Sequence, residues 1–403
     1  MLHLAHFLSV LACTLALCNV HAQQPVSSYA DRVDHFVTHI ADSLSIVGLS
    51  VGLVQHGEVV LAKGYGSISH AKTHPVDAHT AFLSCSITKL FTATAVMQLV
   101  EQGRLHLSDH VVDVLPGFKL RDKRYSEITV QHLLTHSSGL PWDHKLPNCP
   151  QDSTALDALV RSMANSVRLN FDPGSRSDGS TYSNAGYNLL GRIVEQVSGL
   201  SYERYVRIHL LGKVPMPDAA FDTTTYTGAT WAHGVEVDGD TRAIQRFNLY
   251  GEEDPKHPII NGKPLSLRER RPHIAHEQNP CGGLWTSAAD LSSWMAHLQC
   301  IAEDTLVAPT APVLQRNTLL EMWRTQRSIP GKRTAIGLGW WNYNDPEQGR
   351  YVFHVGNDPG YSSILLMWPE FGVGVVILCN GMYADDGVWN VLGPGVARIV
   401  MGL

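Results

Sequence analysis

Apolar residues recur along this chain with two periods, and the change from one to the other divides it. From about Tyr29 to Leu44 the spacing is helical. Gly48-Leu-Ser-Val-Gly-Leu-Val-Gln55 and Glu58-Val-Val-Leu-Ala-Lys-Gly-Tyr65 flank the turn signal His56-Gly57 and predict a hairpin. A polar stretch, Ala71 to Thr80, leads to a mostly apolar run from Phe91 to Val100. There Leu90, Ala93, Val96, Leu99 and Val100 repeat at helical spacing, with Ser86 as the expected start and Gly103 as the expected stop.

Between Leu105 and Leu211 the pattern is mostly helical and broken by turns. Ile128 to Gly139 reads as a short helix begun by Thr129 and ended by Gly139. Ser183-Asn184 precedes a second apolar helix, Tyr187 to Val197, closed by Gly199. Pro215 to Pro280 is polar, rich in Gly, Pro, Asp and His, and nearly without period; it reads as irregular surface structure framing a cleft. Leu284 to Leu298 recovers helical spacing, with Thr286-Ser287 as cap and Trp294 on the apolar side. Short strands follow at Gly337–Asn342, Arg350–Gly356, Tyr361–Trp368 and Val373–Asn380. The turn Asp358-Pro359-Gly360 and the turn over Pro369 to Gly372 fold the last three into an antiparallel meander. Gly393-Pro394-Gly395 is expected to interrupt a final amphipathic segment.

Strands at both ends with helices between them predict an α/β (α+β) fold. One antiparallel sheet, built from both termini and flanked by helices, carries an inserted helical subdomain. The expected division is a sheet part at about 23–104 plus 282–403 and a helical, irregular part at about 105–281.

The chain is long enough for this, at 403 residues. With 44% apolar and 17% charged residues, a net charge of −6 and no basic run, neither nucleic acid nor an anionic membrane is the expected partner. Leu2 to Val20 is nearly all apolar or small, and Val20-His21-Ala22 before Gln23-Gln24-Pro25 resembles a cleavage site. Residues 1–22 are thus expected to be a signal peptide, with 23–403 exported to the periplasm or beyond, although the n-region lacks Lys and Arg. No later stretch reaches the roughly 20 apolar residues of a membrane span. Five cysteines remain after the leader, Cys85, Cys149, Cys281, Cys300 and Cys379, an odd number with no C-x-x-C pair. One or two disulfides fit an oxidising compartment, with at least one thiol left over.

Ser86 and Lys89 stand about one helical turn apart, so both side chains share a face at a helix start. There the free backbone N–H groups favour a developing anion. A serine with an amine one turn on is the S-x-x-K arrangement of acyl transfer; an N-cap serine beside a solvated lysine is the plain alternative. Lysine acts as a base only where burial or nearby positive charge lowers its pKa. Tyr182-Ser183-Asn184 lies at a loop-to-helix junction: Tyr182 can pass a proton, and Asn184 can bind lysine or a substrate amide. His354-Val355-Gly356 ends a strand that can offer backbone N–H groups to a carbonyl oxygen, with Gly356 allowing close approach. His354 is a candidate partner for the Tyr182 hydroxyl or a substrate carboxylate. His132 and His136 have metal-pair spacing, but no third ligand pattern accompanies them, so packing and capping are expected.

The ordered set Ser86-x-x-Lys89, Tyr182-x-Asn184, His354-x-Gly356 resembles the serine β-lactamase-like family: class C β-lactamases, D,D-peptidases, and related esterases and D-aminopeptidases. Gly64-Tyr65-Gly66, Leu133-Leu-Thr-His-Ser-Ser-Gly-Leu-Pro141 and Cys281-Gly-Gly-Leu-Trp-Thr-Ser-Ala-Ala-Asp-Leu291 agree with it, over about Val33 to Gly381. The resemblance implies a cleft between sheet and helices in which Ser86 is acylated and Lys89 with Tyr182 handles protons. It also implies that the backbone N–H groups of Ser86 and Asn357 form the oxyanion hole, and it implies no metal or organic cofactor. Expected partners are small ester, peptide or β-lactam-like substrates.

Two departures stand out. Many relatives carry Lys-Thr-Gly where this chain has His354-Val355-Gly356, and histidine is mostly neutral at pH 7. Gly174 to Thr181 also makes a longer approach to Tyr182 than is usual. Three other classes compete: a non-catalytic module that binds cell-wall peptide or protein, a lipase using Gly48-Leu49-Ser50-Val51-Gly52, and a zinc hydrolase. The intact Ser86, Lys89 and Tyr182 argue against the first. The second needs a strand-to-helix turn where the apolar run continues, and the third needs a His-Glu-x-x-His that is absent.

Overall fold

The structure, a computed structural model, describes residues 26–72, 74–175, 181–222, 231–237, 267–270, 275–306, 311–381 and 387–403. The expected leader, most of Pro215–Pro280 and residues 176–180 of the longer approach to Tyr182 lie outside them. Eight strands form one antiparallel sheet: β1 (Gly48–Gln55), β2 (Glu58–Gly66), β3 (Arg327–Ser328), β4 (Thr334–Ile336), β5 (Trp341–Asp345), β6 (Gly349–Asp358), β7 (Tyr361–Trp368) and β8 (Val373–Cys379). Their spatial order is β2-β1-β8-β7-β6-β5-β4-β3. The N-terminal hairpin thus pairs with the last strand, Leu49 opposite Cys379 and Gln55 opposite Val373. The sheet built from both termini is therefore real.

One face of the sheet is covered by α1 (Val26–Ser43) and the C-terminal helix. Val33 and Val37 there share a buried cluster with Leu49, Val51, Val375 and Val396. The other face receives α2 (Thr88–Glu101) and α4 (Ala288–Glu303), with α3 (Asn184–Ser198) packed beyond α2. Helix α2 is buried on every side from Thr88 to Leu99, which the apolar count alone does not require. Thr92 Oγ1 donates to the Pro280 carbonyl at 2.6 Å and Gln98 Nε2 to the Val313 carbonyl at 2.8 Å, while Gln98 Oε1 is buried without a partner.

Most local signals hold. Ser183 caps α3 by accepting the Gly186 N–H, and Gly199 ends it in the left-handed conformation. Ser287 caps α4, accepting from Asp290 N–H. Three boundaries differ. The segment after Ile128 is helical only over Val130–Leu134, because His136 leaves the helix at φ 52° to bury its ring elsewhere. Of Gly337–Asn342 only Trp341 and Asn342 are strand: Gly337 to Trp340 turns the chain between β4 and β5, Gly337 N–H bonding the Trp340 carbonyl at 2.7 Å. Gly393-Pro394-Gly395 does not interrupt the last helix but opens it, α5 (Gly393–Met401), since proline fits the first helical turn. Cys85, Cys149, Cys281, Cys300 and Cys379 form no disulfide with one another. No helix there is long and apolar enough to cross a membrane, and no cluster of three metal-ligating side chains occurs.

Candidate active site

Every residue from Ala81 to Leu99 is buried except Ser86. A strand pair, Phe82–Leu83 with Trp285–Thr286, fixes the approach. Cys85 then takes φ 51°, a costly conformation for a side-chain-bearing residue, and the chain turns through Cys85–Ile87 into α2. The Cys85 thiol is buried and donates to the Leu83 carbonyl at 3.4 Å, so it fills the turn while Ser86 faces the cleft.

Lys89 is fully buried, and its three ammonium protons have three acceptors. They are Ser86 Oγ at 3.0 Å, Asn184 Oδ1 at 2.8 Å and the Cys281 carbonyl at 2.6 Å. Two of these oxygens can only accept. When Lys89 loses a proton, its lone pair therefore faces Ser86. Burial lowers the Lys89 pKa to about 8, close enough to neutrality for a base. Tyr182 lies across the same amine, its ring centroid 4.9 Å from Nζ. It hydrogen-bonds Ser86, but burial raises its own pKa well above the usual phenol value. Tyr182 is therefore a neutral hydroxyl, fit to relay a proton and unfit to be the resting base.

The loop His136 to Trp142 holds the Tyr182-Ser183-Asn184 turn by three bonds. Ser183 N–H donates to His136 Nδ1 at 3.1 Å, Ser183 Oγ to the Pro141 carbonyl at 2.6 Å, and Asn184 N–H to the Trp142 carbonyl at 2.7 Å. The His136 ring lies 4.3 Å from the Tyr182 ring, centroid to centroid, and burial keeps it neutral. His132 instead completes a capping box with Thr129. Packing and capping thus account for both histidines.

Strand β6 forms the opposite wall. Asp358 and Tyr361 close a two-residue hairpin, so alternation turns the Asn357 N–H away from β7. On that side β5 pairs only from Gly349 to Phe353, so β6 runs on past its neighbour beside the turn that carries Ser86. Gly356 is required here: a β-carbon would stand 2.7 Å from the Ser84 carbonyl oxygen and 2.9 Å from Cys85 Cβ. His354 does not bond the Tyr182 hydroxyl as anticipated. Its Nδ1–H is taken by the Val355 carbonyl at 2.6 Å, and the ring centroids of His354 and Tyr182 are 6.4 Å apart. Nε2 is left as an acceptor without a protein partner, and burial lowers the pKa to about 3.

The structure therefore brings Ser86, Lys89, Tyr182 and Asn184 into direct contact and sets His354, Gly356 and Asn357 on the wall beside them. Sequence reasoning missed the Cys281 carbonyl, which no residue type advertises, and His136, whose ring supports Tyr182. It also missed Trp142, 56% exposed with its ring 5.0 Å from that of Tyr182. An isolated tryptophan after a Leu-Pro pair was the one available sign.

A sheet built from both termini, with a serine–lysine pair at the start of a buried helix beside a strand end, defines a class of serine acyl-transfer fold. The family model described as Beta-lactamase matches residues 33–392, and the chain belongs to that family of serine hydrolases. It is 27% identical over 355 residues to Protein flp of Staphylococcus aureus strain MW2, covering 87% of this chain and 62% of that protein. The chain thus spans about three-fifths of the length of such relatives. Among solved structures, the octameric penicillin-binding protein homologue from Pyrococcus abyssi superposes with a TM-score of 0.71 at 25% identity. That match covers 93% of this chain and 77% of that one. The D-alanine carboxypeptidase AmpC from Burkholderia cenocepacia gives 0.68 at 19% identity, covering 94% and 99%.

Proposed function

We propose that this chain is an exported serine hydrolase working through an acyl-enzyme on Ser86. It takes neutral esters and amides, D-amino-acid amides among them, in preference to anionic β-lactams. The observation that carries the reading is Ser86 itself, the one unburied residue in a buried run, with its hydroxyl on a lysine whose pKa burial has lowered. Ser86 Oγ adds to the carbonyl carbon and its proton passes to neutral Lys89. The backbone N–H groups of Ser86 and Asn357 receive the oxyanion. The proton then reaches the leaving oxygen or nitrogen through the Tyr182 hydroxyl, and water releases the acyl group by the reverse path. The substrate preference rests on His354, which presents a lone pair where a lysine would present a cation. Export rests on the apolar run Leu2 to Val20.

Intact mass after exposure to a fluorophosphonate tests the nucleophile. One adduct on the wild type, absent from Ser86→Ala, is expected. No adduct on folded protein would return the chain to the binding-module reading, and an adduct surviving in Ser86→Ala would place the nucleophile elsewhere. Penicillin turnover matching that of the best ester would overturn the substrate preference.

A further inference from the structure

Of the nine tryptophans in the chain, seven are buried and Trp231 is half-buried; Trp142 is 56% exposed. Its indole is the outer end of a stack of rings. The Trp142 and Tyr182 centroids are 5.0 Å apart, those of Tyr182 and His136 4.3 Å, and those of His136 and Tyr187 4.9 Å. The three inner rings are buried, so the stack runs from the core of the helical part and ends in solvent at Trp142. Tyr182 covers one side of the indole, and the rest is open.

This open ring lies on the cleft. The Trp142 carbonyl accepts the Asn184 N–H at 2.7 Å, which ties the residue to the group that holds Lys89. The next residue, Asp143, pairs with Lys145 at 3.3 Å. Its carboxylate and that of Asp358, at the end of β6, both act on the Lys89 amine, and both act on Lys145. Residues 142–145 and the end of β6 are therefore the two lips of the cleft that holds Lys89. Aromatic rings pair at centroid separations of roughly 4.5–7 Å, so one more ring fits the open side of Trp142 as Tyr182 fits the covered side.

We propose that Trp142 is a specificity-determining residue that receives an aromatic ring on the leaving group of the substrate. The inference rests on the hydrolase reading above, in which Tyr182 hands a proton to the departing oxygen or nitrogen. That atom lies at Tyr182, so a ring one carbon beyond it reaches the indole packed against Tyr182 and extends the stack. Arylmethyl esters and amides are thus preferred to their small alkyl counterparts.

The test compares benzyl acetate with ethyl acetate, and with methyl phenylacetate, an isomer of benzyl acetate that carries its ring on the acyl side. Benzyl acetate should have the highest kcat/KM of the three. In Trp142→Ala the ratio of benzyl acetate to ethyl acetate should fall about tenfold, through a raised KM for benzyl acetate, while Trp142→Phe, which keeps a ring, retains most of the preference. Circular dichroism confirms that each variant folds. A ratio unmoved by Trp142→Ala would overturn the proposal. So would an equal loss on benzyl and ethyl acetate, which would make Trp142 a support for Tyr182 alone, or a loss confined to methyl phenylacetate, which would put the ring on the acyl side. Protein whose Ser86 takes a fluorophosphonate but which leaves benzyl acetate intact would overturn it too. Folded protein with no adduct on Ser86 is a separate result: there the hydrolase reading itself fails and takes this inference with it.

Discussion

Two serines in this chain sit in motifs that suggest a nucleophile, and the regions around them could hardly differ more. Ser50, within Gly48-Leu-Ser-Val-Gly52, lies in the middle of β1, paired with Gly64 on one side and Leu378 on the other. It is fully buried, and its hydroxyl has no hydrogen-bond partner. Ser86 sits at a strained turn into α2, with an amine at 3.0 Å and a phenol bonded to it. A motif names a side chain; only exposure and a neighbouring base make it reactive. The lipase pattern fails here because a continuous strand cannot lift its serine to a surface.

The sharpest way to break this contrast is to remove each hydroxyl in turn. Ser86→Ala should lower ester turnover by at least about 10⁴-fold, and Ser50→Ala should stay within about twofold of wild type. Equal losses would mean the wrong region has been identified. Lys89→Met keeps the length of the side chain and removes the base, and a loss of about 10³-fold in kcat is expected. Tyr182→Phe retains the ring over Lys89 and removes only the relay, for about 10²-fold. A Tyr182→Phe variant as active as wild type would show that Lys89 alone carries the proton.

The pH dependence follows from the same burial. The proposed mechanism requires neutral Lys89, so kcat/KM should rise with pH through about 8, and no limb should come from His354, held near 3. The same shifts act on stability. A cation whose folded pKa lies below its unfolded value binds its proton better when unfolded, so stability is gained as pH rises between the two. For Lys89 that window runs from about 8 to the ordinary lysine value of 10.5. For His354 it runs from about 3 to 6.5, and His297, held near 4, acts in the same direction. Unfolding free energies from denaturant titration should therefore fall as the solution is acidified below about 6.5, by about 1.4 kcal/mol per pH unit for each such histidine. Protein equally stable at pH 4 and pH 7 would show these rings to be solvated.

The smallest expected effect returns to Ser50. Its hydroxyl is buried without a partner, so Ser50→Ala should leave the melting temperature unchanged or slightly raised.

The segments legible in advance are those whose signals are local. The hairpin of β1 and β2 shows in its apolar runs about His56-Gly57, α3 in its serine cap and terminal glycine, and the β6–β7 turn in Asp358-Pro359-Gly360. The turn at Gly337–Trp340 was misread because two tryptophans continue the apolar run while the backbone reverses. Gly393-Pro394-Gly395 was misread because proline both opens and breaks helices, and only its position in the turn decides which. At the site, the spacing of Ser86 and Lys89 follows from helical geometry alone. The order of the three motifs carried the family.

What the sequence by itself determined is thus the set of elements, the serine–lysine pair on one turn, and the family. Tertiary structure alone decided that the third acceptor of Lys89 is the Cys281 carbonyl and that burial keeps His354 neutral. These depend on groups 47 to 313 residues apart meeting in space, as when Ser183 N–H finds His136 or Asn380 finds Ser67. Burial, unlike spacing, is a property of everything that surrounds a residue, and no window along the chain contains it.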